Sequence, residues 1–283
     1  MKGEPMIGLH VSIAESLDLA FDRAVEAGCT TFQIFTRNPR GWKFKPLADE
    51  QISAFLEKRR SSKFRKVVAH MPYLPNLASP DRVTTKASRH ALNEEVRRCD
   101  LLGIEYVVTH LGSHLGKGTM VGVRNVAEAC SEAIAGSRGD TTILLENMAG
   151  QKNCVGARFE ELKQILDLVG KSERLGVCLD SCHAFASGFD LSSRAAVEQT
   201  MRIFDELVGY ERLKVVHLND SKGPLGSGLD RHENIGKGKI GRMGMKAFLR
   251  YPGILERPII LETPYRDLRG ERESMATVRG LLA

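Results

Sequence analysis

Eight short apolar runs, many of them rich in β-branched residues, place the strongest constraint on the fold of this chain. Their brevity and their lack of strict alternation between apolar and polar positions predict strands that are buried on both faces, as in a parallel sheet. Several of the runs end on an ionisable residue. The runs are Met6–His10, Thr31–Phe35, Lys66–His70, Tyr106–His110, Thr142–Glu146, Gly176–Asp180, Leu213–His217 and Pro258–Glu262.

Helical patterns fill the gaps between these runs. In the first gap, apolar residues between Leu17 and Val25 recur at the spacing of one helix face, and Gly28 supplies a C-terminal stop. Repeated alternation of strand and helix predicts an α/β protein with a single domain, residues 1–283, folded as a (β/α)8 TIM barrel. An open doubly wound sheet is the alternative, but such a fold would require a nucleotide-binding glycine loop after the first strand. The sequence has Val11–Ala14 at that position, which is not such a loop.

Composition sets weaker limits on function. The net charge of +6 suits a polyanionic partner, although many basic proteins bind no nucleic acid. No apolar run approaches the roughly 20 residues of a membrane span, and no apolar segment follows the charged N-terminus as in a secretory signal. Six cysteines without a CxxC pair indicate reduced thiols. We therefore expect a cytoplasmic protein without a membrane partner.

The ionisable residues at the ends of the predicted strands form the candidate site. In a parallel barrel the C-terminal ends of all strands meet on one face, and active sites are built there. The loop after the sixth strand adds a histidine to this face, and the loop after the seventh adds an Asp-x-His pair. The residues expected on the rim are His10, His70, His110, Glu146, Asp180, His183, His217, Asp230, His232 and Glu262.

A metal centre accounts for this cluster better than separate structural roles do. One histidine at a strand end is usually a structural residue, but four carboxylates in one pocket would raise one another's pKa unless cations neutralised them. Nitrogen and oxygen ligands suit zinc, and also manganese or iron, and argue against an all-oxygen magnesium or calcium site. The set exceeds the needs of one ion, so we expect two or three. Such sites commonly serve phosphoester hydrolysis.

Two further features of the sequence adjoin these residues. Cys178 and Cys182 flank Asp180, and we interpret both as packing residues because sulfur ligands are not needed to complete the site. The glycine-rich stretch from Ser221 to Gly244 shows no clear periodicity and is expected to be a long irregular loop, which in a compact domain is usually functional or disordered.

Three blocks of sequence resemble the endonuclease IV family of zinc-dependent abasic-site endonucleases, and the similarity runs from Gly8–Ser12 to Leu261–Thr263. The last two blocks are long and specific. The blocks are His110–Gly116, Gly176–Gly188, and His217–Lys222 leading to Asp230–His232 and Gly236–Gly241.

The resemblance implies three zinc ions. His70, His110 and Glu146 would hold the first; Glu146 would bridge to a second on Asp180, His217 and Glu262; His183, Asp230 and His232 would hold the third. Within that set, Glu146 and Glu262 are assigned catalytic roles. The implied reaction is hydrolysis of the phosphodiester 5′ to an abasic site in duplex DNA, which leaves a 3′-hydroxyl and a 5′-deoxyribose phosphate, together with trimming of blocked 3′ ends.

The resemblance also implies DNA contacts from the loops after the second and third strands. Arg40, Tyr73 and Leu74 match positions that enter the base stack when the abasic nucleotide is flipped out. Gly41 departs from the glutamine common in bacterial members, which puts one DNA contact in doubt. Trp42 is interpreted as a packing anchor.

Two other functions remain open at this point. A sugar isomerase or epimerase on a related barrel would also gather carboxylates and histidines around a divalent ion, but it would need fewer histidines and no basic loops. A module that binds DNA lesions without cutting them would have no use for nine ligands.

We expect the protein to be a monomer.

Overall fold

Parallel strands closed into a barrel form the centre of the computed structural model, which describes residues 4–43, 45–265 and 267–283. Neighbouring barrel strands pair in parallel in the order β1-β10-β7-β6-β5-β4-β3-β2, and this confirms the predicted TIM barrel. The barrel strands are β1 (Ile7–Leu9), β2 (Phe32–Phe35), β3 (Val67–His70), β4 (Tyr106–Thr109), β5 (Thr142–Glu146), β6 (Leu175–Asp180), β7 (Leu213–His217) and β10 (Ile259–Leu261); β8 (Asp220–Ser221) and β9 (His232–Glu233) form a separate antiparallel pair.

Helices cover the outside of the barrel and bury their apolar faces against the strands. The helix between β3 and β4 illustrates how the sequence sets the ends: the side chain of Asp81 accepts a hydrogen bond from the Thr84 amide (2.8 Å), and Gly103 ends the helix with a φ of 64°. None of the described helices is long and apolar enough to cross a membrane. The helices are α1 (Leu19–Glu26), α2 (Asp49–Ser61), α3 (Arg82–Leu102), α4 (Thr119–Gly136), α5 (Phe159–Val169), α6 (Ser181–Ala186), α7 (Arg194–Leu207), α8 (Gly241–Leu249) and α9 (Leu268–Leu282).

The barrel closes between its first two strands. The amide of Val11 donates to the carbonyl of Gln33 (2.7 Å), and His10 and Gln33 form a parallel bridge. The two backbones approach so closely that a Cβ on Gly8 would lie 1.7 Å from the carbonyl oxygen of Thr31. Only glycine fits at this point of the seam.

A layer of apolar side chains fills the barrel interior beneath the rim. It is a buried cluster of its own, separate from the larger core between strands and helices, and its members come from six different strands: Val68, Val108, Leu144, Cys178, Val215 and Ile260. Two residues after each of them comes a rim residue: His70, His110, Glu146, Asp180, His217 and Glu262. Because side chains alternate along a strand, this offset stands the ionisable residues directly above the packed layer.

Two expectations about loops need correction. The stretch from Ser221 to Gly244 is not wholly irregular, because β9 lies within it and α8 begins at Gly241. His183 lies in the short helix α6 rather than in a loop. The Ser221–Gly244 segment is ordered because several of its backbone amides donate to the buried carboxylate of Asp220. No local periodicity of the sequence reveals these contacts.

Candidate metal centre

The nine residues predicted as metal ligands lie together at the C-terminal end of the barrel. They fall into adjoining groups, and within each group one ligand atom from every residue lies within 4.8 Å of the others. Glu146 belongs to two of the groups and Asp180 adjoins the third. The groups are His70, His110 and Glu146; Glu146, Asp180, His217 and Glu262; and His183, Asp230 and His232.

The first group is built around one oxygen of Glu146. Nε2 of His70 lies 3.1 Å and Nε2 of His110 lies 3.2 Å from Glu146 Oε2. The other ring nitrogen of His70 donates to the carbonyl of Met71 (2.7 Å), which fixes the ring and leaves Nε2 facing the group. Glu146 and His70 are buried, whereas His110 keeps a quarter of its side chain exposed.

The second group uses the other oxygen of Glu146. Nδ1 of His217 lies 3.0 Å from Glu146 Oε1 and 3.3 Å from Glu262 Oε2, and Asp180 Oδ2 is 3.9 Å away. Asp180 is held by Asn219, whose Nδ2 donates to Asp180 Oδ2 (2.6 Å). One glutamate at the end of β5 therefore joins two adjacent groups through its two oxygens.

The third group consists of two imidazoles that face one carboxylate. Nε2 of His183 lies 3.1 Å and Nε2 of His232 lies 3.6 Å from Asp230 Oδ1. Both nitrogens are buried, and neither has an aligned hydrogen-bond partner in the described part of the chain. Their Nδ1 atoms donate to the carbonyls of Asn147 (2.9 Å) and Glu262 (3.2 Å). Two Nε2 lone pairs and a carboxylate oxygen thus converge, and this donor set fits a divalent cation.

Charge in the site is balanced between imidazoles and carboxylates. Burial by itself would raise the pKa of Glu146, but the rings of His217 and His110 hold that pKa well below its usual range. Burial likewise opposes the charge on Asp230, yet the imidazole of His183, 3.1 Å away, lowers the pKa of this carboxylate to about 2. The carboxylates of Glu146 and Asp230 are therefore favoured in their ionised form, which is the form that binds a divalent cation.

Several buried polar residues that support the site were missed from the sequence. Asn147 donates to the Asp180 carbonyl (3.1 Å) and accepts from the Asp180 amide (2.7 Å). Asn219 holds Asp180 and accepts from the Glu262 amide (2.8 Å). Gln33 contacts both His217 and Glu262. Strand alternation could have found Gln33, because it is the inward position of β2, whereas the run was interpreted as ending on Phe35.

The two cysteines beside Asp180 are buried. Cys178 belongs to the apolar layer inside the barrel, and burial raises its pKa to about 12. Burial also raises the pKa of Cys182 to about 12, and its Sγ lies 3.6 Å from the Arg231 carbonyl. Cys182 could reach one ion together with Asp180 and His232. A protonated thiol is a poor ligand, so we retain the packing interpretation for both cysteines.

The residues predicted to contact DNA are exposed in the loops after β2 and β3, and the Tyr73 ring lies beside the rings of His70 and His110. Tyr73 and Leu74 are 60% and 41% exposed, and the Tyr73 ring packs edge-on against Phe35, with ring centroids 5.3 Å apart. Arg40 is exposed in the loop after β2. Trp42 is 42% exposed, so the interpretation as a packing anchor was wrong. The loop around it is instead held by buried arginines, as Arg37 donates to the Gly41 carbonyl (3.0 Å).

Comparisons with known proteins agree with this geometry. Residues 21–281 match the family model described as a xylose isomerase-like TIM barrel. The chain is 49% identical to a probable endonuclease 4 of Methanoculleus marisnigri, with 98% of each chain covered, and 48% identical to one of Nitrosopumilus maritimus, with 95% and 97% covered.

Solved structures separate a near relative from distant ones. Endonuclease IV from Thermus thermophilus superposes with a TM-score of 0.88 at 38% identity, with 98% of this chain and 99% of that chain covered. A D-tagatose 3-epimerase-like protein superposes with a TM-score of 0.76 at 21% identity, over 98% and 97% of the two chains, and at that identity it shares the fold alone. The chain belongs to the xylose isomerase-like TIM barrels and, among them, to the endonuclease IV family.

Proposed function

We propose that this protein repairs DNA by hydrolysing the phosphodiester 5′ to an abasic site in duplex DNA, with zinc as cofactor. The products would be a 3′-hydroxyl and a 5′-deoxyribose phosphate, and blocked 3′ ends would also be trimmed. The observation that carries the proposal is the set of nine nitrogen and oxygen ligands in three adjoining groups on one rim, two of which share Glu146.

Each of the three groups would hold one ion. The first would be held by His70, His110 and Glu146, and the third by His183, Asp230 and His232. The second would be held by Glu146, Asp180, His217 and Glu262. When bound, the ions would neutralise charge on the phosphate, make water a better nucleophile and stabilise the leaving oxygen.

The chain itself would supply rigidity and electrostatic order. Glu146 would fix the spacing of the first two ions, because its two oxygens already face different groups. Glu262 would complete the second group while its backbone amide is held by Asn219. Ligands that are positioned before the substrate arrives lower the reorganisation needed in the transition state. We assign no protein nucleophile.

Recognition of the lesion would depend on the exposed loops. An abasic nucleotide that turns into the site leaves a gap in the base stack, which an aromatic or apolar side chain can fill. Tyr73 and Leu74 are exposed, the Tyr73 ring lies beside that of His70, and both side chains suit that role. Arg40 would contact the DNA backbone or the gap, and the net charge of +6 favours association with the polyanion.

No specific observation favours a sugar epimerase. The distant barrels share the fold, but the third ligand group and the exposed basic loop have no evident use in the isomerisation of a small sugar. We also propose that the chain acts as one domain, as a monomer and in the cytoplasm. Sedimentation of the purified protein over a range of concentrations would test the monomer.

The decisive experiment uses a duplex with one tetrahydrofuran abasic-site analogue and a matched duplex without it. We expect cleavage 5′ to the analogue only, abolished by a chelator and restored by zinc. Binding without cleavage after full zinc loading would favour the lesion-binding alternative. Conversion of a ketose substrate without any DNA cleavage would favour the epimerase.

A further inference from the structure

Gln33 is a buried, uncharged member of the ring of rim residues, and it stands beside the second ligand group. It lies on β2, at the inward position above Thr31, and its side chain is fully buried. Its amide contacts three different side chains of the rim: the Nε2 of His217 at 2.8 Å, Oε1 of Glu262 at 2.7 Å and Nδ1 of His10 at 2.9 Å.

Only one orientation of this amide satisfies its neighbours. A carboxylate that serves as a metal ligand can only accept, so the group 2.7 Å from Glu262 Oε1 must be the Gln33 amino group. The amide oxygen of Gln33 then faces His217 Nε2, and that nitrogen must carry a proton to donate. An imidazole that binds an ion must present a lone pair to it, and with the proton on Nε2 that lone pair lies on Nδ1, which is the atom that faces Glu146 and Glu262.

His217 differs in this respect from three other histidines of the site. His70, His183 and His232 each donate Nδ1 to a backbone carbonyl and present Nε2 to their groups. For His217 the arrangement is reversed, and the acceptor is a side chain rather than the backbone. A side-chain acceptor can be removed by substitution, so its contribution to the site is testable.

We propose that Gln33 is the positioning residue of the second ion site: one amide selects Nδ1 of His217 and Oε2 of Glu262 as its two ligand atoms. The proposal rests on the proposed metal-dependent function, but it makes a claim about ion binding that does not depend on DNA cleavage.

The first test uses the unmodified protein. Selective labelling of histidine with nitrogen-15 and long-range correlation spectra of the zinc-loaded protein report which ring nitrogen carries a proton and which binds the ion. We expect His217 to be protonated on Nε2 and bound through Nδ1. A His217 bound through Nε2 would overturn the proposal regardless of whether the protein cuts DNA.

The second test removes the amide. Gln33→Met keeps the length and burial of the side chain but neither donates nor accepts strongly, and the matched control is Gln199→Met on the exposed face of α7. Loss of such supporting hydrogen bonds typically weakens metal affinity by about 10- to 100-fold. In Gln33→Met we expect the affinity for one of the three ions to fall by this factor. Competition with a chromogenic chelator measures it.

Cadmium-113 spectra would locate the effect. In the Gln33→Met variant the resonance of the second ion should shift or broaden, while the resonance of the third ion, held by His183, Asp230 and His232, should stay. Equal affinity and unchanged spectra in Gln33→Met and Gln199→Met would overturn the proposal. If Gln33→Met loses ion affinity as predicted but the wild-type protein does not cut abasic DNA, the proposal for Gln33 stands. That result would contradict only the proposed function.

Discussion

The carboxylate of Glu95, on helix α3, accepts a hydrogen bond from Nε of Arg37, in the loop that follows β2. Both side chains are buried, and Thr36 completes the contact by donating to Glu95 Oε2 (2.6 Å). Arg98 reaches the same loop, since its Nη1 donates to the Lys45 carbonyl (3.1 Å). A buried ionic network therefore holds the loop that carries Arg40.

Glu95→Ala should destabilise the protein and impair recognition of the lesion. Removing one partner of a buried ion pair leaves an uncompensated charge and costs about 3–5 kcal/mol. Urea unfolding measures this loss. The control is Glu94→Ala, whose Arg97 partner is half exposed and which should cost about 1 kcal/mol or less. Similar stability of the two variants would show that the network does not hold the loop.

Arg40→Ala and Tyr73→Ala should weaken discrimination between abasic and intact duplex while the ion count stays at the wild-type value. Tyr73 would fill the gap left by the flipped nucleotide. For Arg40→Ala the slope of binding against salt should fall by about one counterion if the side chain contacts a phosphate. The control is Arg194→Ala, an exposed arginine at the start of α7. If both variants discriminate between abasic and intact duplex as well as the wild-type protein does, these residues do not take part in lesion recognition.

Glu146→Gln should separate cleavage from binding. The amide removes the negative charge that faces both of the first two groups, so cleavage should fall by about 100-fold or more, since each factor of ten corresponds to about 1.36 kcal/mol. Affinity for abasic duplex should remain near the wild-type value, because the exposed loops are unchanged. Glu160→Gln, on the surface of α5, serves as the control. Near wild-type cleavage would show that Glu146 does not bridge two ions.

Asp220→Asn should release the third ion before the other two. The carboxylate of Asp220 accepts from the backbone amides of Gly236 and Gly238 at 3.0 Å, and from Ile240 at 3.0 Å. It thereby holds the segment that contains His232. A neutral amide accepts with one oxygen only and would place its amino group against backbone N–H donors.

The measurement for Asp220→Asn is a chelator titration that follows both the ion count and the cleavage rate. Local opening of a segment costs less free energy than global unfolding, and ligand release should follow that opening. We expect one ion to leave early and cleavage to fall with it. A first loss from the pair that shares Glu146 would contradict this.

Gly8→Ala should disrupt barrel closure. The added Cβ would overlap the Thr31 carbonyl oxygen at 1.7 Å, so the two strands must separate. Overpacking of this kind costs about 1–3 kcal/mol, occasionally more, and the thermal midpoint should drop accordingly. The control is Gly280→Ala in helix α9, where nothing lies within 4 Å and the substitution should be neutral or stabilising. Equal midpoints would show that the seam can adapt.

Local pattern predicted the strands and most of the candidate site, because strand alternation acts over a few residues. The position of His70 two residues after Val68 is enough to place it on the rim once the barrel is assumed. Gln33 was missed because the prediction selected ionisable residues, and the amide of glutamine is uncharged. The order around Asp220 depends on contacts with residues 16 to 21 positions later, which no periodicity encodes.

The seam of the barrel and the chemistry of the rim involve the same two residues, because the bridge between β1 and β2 joins His10 to Gln33. Opening that seam would withdraw the Gln33 amide from His217 and Glu262. Anything that binds the closed form selectively stabilises it by mass action, so occupied ion sites should slow amide hydrogen exchange along β1 and β2. We therefore expect closure of this seam and ion binding at the second site to be thermodynamically coupled.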